Sequence, residues 1–326
     1  MRRPSIKFTD PDVVSLIEEL GGQDPYSAVR GSANALLGKL ANFEVKFDDP
    51  FERIRVLASL AGFDVKPMTI AQKSKEGRDA VLMYTSGNSK EGTIFYDPTK
   101  PKARIVFSIG HEIAHSFFPR TGVGARFRAI VREGTKSARE LEMLCHFGAS
   151  ELTMPLAEFE KSASEFGFGL RSVDRIRQIF GTSFEACLHR MAATAPFSAA
   201  AGLFQFRFKT GENEDASAYV SRARDLFGRV EKSSPRPTRK YRRQSFYRSE
   251  TFPTDLVIPW NKSIPESSGV YRTARTGVIE AGIETIPVNG RGKTLRCFIE
   301  ALPAPYQPEG TEPGWPDILF LLRPYN

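Results

Sequence analysis

His111-Glu112-Ile113-Ala114-His115 decides how the rest of this 326-residue chain is read. Side chains four positions apart lie on one helical face, one turn from each other, so His111 and His115 can ligate a single zinc. Glu112 stands between them and can take a proton from metal-bound water, the division of labour of the H-E-x-x-H helix in metal-assisted hydrolysis. The chain has only four histidines, and this pentapeptide holds two of them. A helix placed here for packing alone has no physical need of Glu112.

The flanks give that helix a context. Gly92-Thr-Ile-Phe-Tyr96 and Arg104-Ile-Val-Phe107 are rich in β-branched and aromatic residues and read as strands on either side of an Asp97-Pro98-Thr99-Lys100-Pro101 turn. Ser108 occupies the expected N-cap, Ile109, Ile113 and Phe117 form an apolar stripe opposite the metal face, and Pro119 closes the helix. A catalytic zinc needs a third protein ligand and an open position. The next helix, Ser137 to Leu152, supplies candidates. Its Glu142 and His146 share one face at i, i+4, and we read Glu142 as the third ligand with His146 hydrogen-bonded to a ligand side chain. The exchanged assignment, His146 as ligand and Glu142 as its orienter, is the alternative. Glu140 and Glu151 read as charges facing water. A closed, structural zinc site would draw its fourth ligand from His146 or Cys145.

At this point the chain resembles a known family. Arg104-x-x-Phe107-Ser108-Ile109-x-His111-Glu112-Ile113-Ala114-His115 looks like the active-site helix of the ImmA/IrrE metallopeptidases. Glu142-Met-Leu-Cys-His146-Phe-Gly-Ala-Ser-Glu151-Leu-Thr-Met154-Pro155 is similar to that family's second motif, often E-x-x-C-N-x-x-A-x-E-x-L-x-P. The segment from Asp49 to Val65 resembles its N-terminal helix and following strand, so the likeness spans roughly residues 25 to 195. His146 departs from the pattern, standing where the family usually has Asn or Asp. The resemblance implies a gluzincin-like α+β metallopeptidase domain with one Zn2+ per chain, in the cytoplasm. It further implies cleavage of a regulatory protein, typically a helix-turn-helix repressor, in a stress or mobile-element response.

Composition fits a globular, multidomain regulator. Apolar residues make up 40% and charged residues 26%, and no run approaches the roughly 18 apolar residues of a membrane span. Met1-Arg-Arg-Pro-Ser leads into no apolar stretch of signal-peptide length. Cys145, Cys187 and Cys297 lie far apart and form no C-x-x-C pair, which argues against a disulfide scaffold and for the cytoplasm. Three regions are expected. Residues 1–160 form the catalytic domain, with helices at Asp10–Leu20, Tyr26–Leu40 and Phe51–Ala61, strands at Phe63–Met68 and Ala80–Tyr84, and a Ser86–Lys90 turn. Residues 161–198 form a helix-turn-helix-like connector, Ser172–Phe180 and Ser183–Met191, with Ser172 and Ser183 as caps. Its second helix offers only Glu185, His189 and Arg190 to solvent, so packing suits it better than reading DNA. Residues 199–326 read as a separate α/β domain, for which the family resemblance suggests a GAF-like sensor. It has a helix at Ala216–Val230 and strands at Leu203–Phe208, Val270–Thr273, Gly277–Glu280, Leu295–Ala301 and Ile318–Leu322.

Charge is concentrated in that last region. Between Ser221 and Glu250 stand ten Lys/Arg against three acids, so this stretch accounts for nearly all of the chain's net +8. Arg239, Lys240, Arg242 and Arg243 interleave with Tyr241, Phe246 and Tyr247, as in a surface that tracks phosphates and stacks bases. The same residues also read as a solvated basic loop, or as a surface for an acidic partner. Two functions compete: a zinc endopeptidase acting on a transcriptional repressor, and a DNA-binding or ligand-sensing regulator that uses the peptidase fold as a scaffold. Intact Glu112 favours the first.

Overall fold

The computed structural model describes residues 8–19, 24–43, 45, 47–69, 79–85, 91–118, 136–212, 238–290, 292–306 and 314–325. Pro119, the Ser86–Lys90 turn, the expected Ala216–Val230 helix and the cations from Arg222 to Arg236 lie outside these residues. The chain divides into two compact units, residues 1–162 with 176–183, and residues 163–175 with 184–326. Among the described residues no helix is long and apolar enough to cross a membrane.

The first unit is α+β. It holds α1 (Pro11–Glu19), α2 (Pro25–Ala41), α3 (Pro50–Leu60), β1 (Phe63–Pro67), β2 (Ala80–Tyr84), β3 (Gly92–Tyr96), α4 (Lys102–His115) and α5 (Lys136–Thr153). Two helix starts are written locally. Asp24 accepts from the amides of Tyr26 and Ser27, Asp49 accepts from that of Phe51, and a proline follows each cap at the first helical position. Helices α6 (Leu156–Phe166) and α7 (Leu170–Phe180) come next, and each has residues in both units.

Arg104 to Phe107 is not a strand. Helix α4 begins six residues before Ser108, with Pro101 at its N-cap, while Asp97 Oδ1 caps the preceding turn by accepting from Thr99 N at 3.0 Å. Packing explains the difference. Ile105, Ile109 and Ile113, joined by Val106, recur at helical spacing and are buried against Leu57, Phe63 and Leu152, and this burial overrides the β-preference of the branched side chains. The small sheet has order β1-β3-β2, parallel on one side of β3 and antiparallel on the other. Gly92 to Tyr96 is therefore a central strand, and β2 is an edge.

Glu140 and Glu151 do not face water. Glu140 accepts from the amides of Thr9 and Asp10 at 2.6 and 3.1 Å, tying α5 to the start of α1. Glu151 is fully buried and accepts from Arg30 Nε at 3.2 Å. Both carboxylates have the partners that burial of a charge demands.

The second unit contains α8 (Phe184–Thr194), β4 (Ala200–Arg207), β5 (Lys240–Arg248), α9 (Gly269–Thr276), β6 (Glu280–Pro287), β7 (Thr294–Pro303) and β8 (Ile318–Pro324). Its strands form one antiparallel sheet of order β5-β4-β8-β7-β6. Phe204 stacks on Phe320 at 4.4 Å within the core, beside Tyr241 and Ile299. Val270 to Thr273 is helical, not a strand, because Val270, Tyr271 and Thr273 bury one helical face. Gly277, at φ 71°, ends that helix in the left-handed conformation by donating its N–H to Thr273 O, so β6 starts only at Glu280. Ser172 lies inside α7, donating to Phe166 O rather than capping.

Two buried features generate tests. A Cβ on Gly148 of α5 would lie 2.7 Å from Ala114 Cβ and 3.2 Å from Val29 Cγ1. Gly148→Ala should therefore cost about 1–3 kcal/mol in urea unfolding, despite alanine's better helix propensity. A gain in stability would show that the helices have room to spare. In the second unit neither carboxylate oxygen of Asp317 has a hydrogen-bond partner among the described residues. Burial, and secondarily the charge of Glu185, pushes its carboxyl up to about 6. A raised folded-state value favours the neutral form, so this contribution to stability is complete below the unfolded value and lost as pH rises through about 6. Asp317→Asn should stabilise the protein by about 1–3 kcal/mol at pH above that range and by nothing well below it. A difference that does not vary with pH would contradict this.

Candidate metal centre

Helices α4 and α5 meet through small residues. Gly110 faces Ala149 and Thr153, and Gly148 faces Ala114. That closeness lets a side chain of α5 reach the histidine face of α4. His111 Nε2 lies 3.1 Å from His115 Nε2 and 3.1 Å from Glu142 Oε2, while His115 Nε2 lies 3.7 Å from Glu142 Oε1. Ligands held about 2.1 Å from a tetrahedral zinc stand roughly 3.4 Å apart, so these spacings fit one such ion. His111 and Glu142 also group with His146, and His111 and His115 with Glu112, each set having donor atoms within 4.8 Å of one another.

Electrostatics keeps the carboxylate available. The hydrogen bond with His111 holds the Glu142 carboxyl down to about 2, assisted by the charges of His115, His111 and His146 and opposed by burial. A zinc ion requires an ionised carboxylate, and its binding would displace any proton from the imidazoles beside it. His111 Nδ1 is buried and has no hydrogen-bond partner among the described residues. It is Nε2 of that ring, and not Nδ1, that faces Glu142 and His115.

Glu112 is fixed from the sheet. Its Oε2 accepts from Leu82 N at 3.0 Å. The odd-numbered residues of β2 and its flanks face β3, as Thr85 N→Glu91 O and Asp97 N→Asp79 O show, so the Leu82 amide points to the free edge. His146 does not make the hydrogen bond expected of it. Its ring lies 4.6 Å from that of His111 and stacks on Phe107 at 5.8 Å, and burial, then the charge of His111, lowers its pKa.

Two neighbours take places that sequence reasoning did not give them. Cys145 Sγ sits 3.3 Å from His115 Nδ1, on the side away from the shared centre, and burial pushes its thiol pKa well up. Its place three residues after Glu142, on the same helical face, was the available signal. The Leu82 amide carried none, because a main-chain donor shows only once strand register is known. The four basic candidates lie in the other unit. Arg239 is half-buried 5.0 Å over Phe208, Lys240 pairs with Glu266 at 3.3 Å, Arg242 is buried, and Arg243 is half-buried 5.7 Å from the Phe246 ring. They belong to β5 and its approach, a strand paired along its length with β4, and not to a solvated loop.

No curated protein matches the chain. Among solved structures, a Mycobacterium tuberculosis transcriptional regulator is similar at 12% identity and a TM-score of 0.49, over 96% of this chain and 80% of that one. Residues 62–192, which include both histidine-bearing helices, match the Peptidase_M78 model, the IrrE N-terminal-like domain. The domain built around these side chains is thus similar to the IrrE N-terminal-like domain of the ImmA/IrrE peptidases.

Proposed function

We propose that this chain is a zinc-dependent endopeptidase of gluzincin type that cuts a regulatory protein. One Zn2+ would be held by His111, His115 and Glu142, with Glu112 as general base. The observation that carries the reading is the convergence of three side chains from two helices, with His111 Nε2 3.1 Å from both His115 Nε2 and Glu142 Oε2 and His115 Nε2 3.7 Å from Glu142 Oε1, beside a carboxylate anchored to a strand. Bound there, zinc supplies Lewis acidity, polarising the scissile carbonyl and making water easier to deprotonate. The chain's own residues do the rest. Glu112 accepts the proton on a carboxylate whose other oxygen is tethered by Leu82 N–H, and can return it to the leaving amine.

The edge strand bears on how substrate lies. The Leu82 carbonyl shares the free edge with its amide, so β2 offers main-chain groups to an extended segment. Pairing of that kind tolerates sequence, which leaves target selection to docking elsewhere. The second unit, with its own antiparallel sheet and core, suits a sensor-type role such as that of a GAF-like domain. Three buried free cysteines support a cytoplasmic setting, and the family supports a helix-turn-helix repressor as substrate. A second ligand set, with His146 replacing His115, is favoured by the His111–Glu142–His146 grouping.

Purified variants with measured zinc content, incubated with a panel of helix-turn-helix repressors, separate these readings. Glu112→Gln should keep zinc and lose about 10²–10⁴-fold in cleavage. His115→Ala and Glu142→Ala should lose zinc, while His146→Ala keeps it. Undiminished turnover in Glu112→Gln would remove the general base, and zinc lost with His146 but not with His115 would move the ligand role. Leu82→Pro is a sharper probe. Its amide faces the free edge of an edge strand, where proline is tolerated, so fold and zinc should persist while cleavage drops as Glu112 loses its tether. Unchanged cleavage would make that hydrogen bond irrelevant to the chemistry.

A further inference from the structure

Pairing of β4 with β5 assembles a group of arginines that the sequence keeps far apart. The register sets Gln205 against Arg242 and Arg207 against Lys240, and a bulge after Leu203 places Phe204 against Arg243. The Trp260–Ile264 segment runs along the outer side of β5, with Arg242 bridged to Ser263 and Ile264 N donating to Tyr241 O. Around that segment three guanidinium groups gather. Arg207 Nη2 donates to Trp260 O at 2.9 Å and to Arg243 O at 3.1 Å, and Arg242 Nη1 donates to Asn261 O. The Trp260 ring lies 4.5 Å from the Arg207 guanidinium and 6.0 Å from that of Arg243.

No described residue balances this charge. Among the described residues no carboxylate lies within ion-pair distance of Arg207, Arg242 or Arg243, and the Nε of all three is buried without an acceptor. Nearby cations are treated differently: Lys240 pairs with Glu266, Arg272 with Glu280 and Glu284, and Arg323 with Glu300. Desolvation, then repulsion from Arg242 and Arg243, lowers the pKa of Arg207, and desolvation lowers that of Arg243. Carbonyl oxygens and aromatic rings hold the cluster in place without neutralising it. Such an arrangement costs stability unless an anion repays it, and fixed guanidinium forks match phosphate and carboxylate geometry.

We infer that Arg207, Arg242 and Arg243, framed by Trp260 and Asn261, form a binding site for the oxyanion group of a small ligand, a phosphate or a carboxylate. A nucleic-acid track fits less well. Arg242 is only 7% exposed, and Lys240 is already paired with Glu266, so the basic residues of β5 present no continuous charged row. The site stands apart from the zinc chemistry, and its failure would leave that reading untouched.

Thermal unfolding of the full chain, titrated separately with inorganic phosphate and with succinate at ionic strength fixed by chloride, tests it. The midpoint should rise and saturate with one or both anions, and whichever saturates identifies the source of the oxyanion. Arg243→Met should abolish saturation, and Arg207→Lys, which keeps the charge but loses the fork, should weaken it by about tenfold. If Arg243→Met fails to fold, phosphorus NMR line broadening with the wild-type chain, relieved by excess succinate, reads the same site. A linear rise identical in wild type and Arg243→Met would be a general salt effect and would overturn the proposal. So would binding of a short DNA duplex with no saturable response to either small anion.

Discussion

The candidate centre depends on how closely α4 and α5 approach. Gly110 and Ala114 on one helix face Ala149, Thr153 and Gly148 on the other, and a single added methyl at Gly148 would meet Ala114 at 2.7 Å. At that separation Glu142 reaches a point between two imidazoles one turn apart. The contact is apolar and short-range, yet it bears on the polar geometry, because it brings Glu142 of α5 within 3.1–3.7 Å of the two imidazoles of α4. The remainder of the first unit holds these two helices in place. Ile105, Ile109 and Ile113 anchor α4 in the core, and Glu140 and Glu151 fasten α5 to the N-terminal helices.

The two units differ in how some of their buried charges are met. In the first, buried acids have partners, and the Glu142 carboxylate is kept ionised by the histidines around it. In the second, the buried Asp317 carboxylate has no hydrogen-bond partner and three arginines gather without a counter-ion, among the described residues. A catalytic centre needs charges held ready in fixed geometry, whereas uncompensated charge is what responds to a ligand or to pH. The contrast suits a chemical unit joined to one that senses.

Much of the centre was legible because helical periodicity is local. Two histidines at i, i+4 and a carboxylate two turns into a neighbouring amphipathic helix need no tertiary information to be noticed. The errors fell where local preference and packing disagree. Arg104 to Phe107 looks like a strand by composition, but its branched residues fall at helical spacing once α4 is extended back to Lys102. Val270 to Thr273 fails for the same reason. Gly92 to Tyr96 was a strand as expected, but its central position depends on β1 pairing parallel to it across a long connection, which no local pattern records. Arg207 was invisible as a partner of Arg242 and Arg243, since only the β4–β5 register brings them together.

The central claim is that two imidazole nitrogens and one carboxylate oxygen hold a single zinc with a position left open. Zinc K-edge absorption of the full chain, loaded with one equivalent of metal, tests it most directly. The account predicts only nitrogen and oxygen neighbours near 2.0–2.2 Å, two of them imidazoles, and no sulfur. A zinc–sulfur distance near 2.3 Å would bring Cys145 into the coordination sphere, and three imidazoles would bring in His146. Either result would contradict the account, describing a centre assembled for some purpose other than the one these helices are argued to serve.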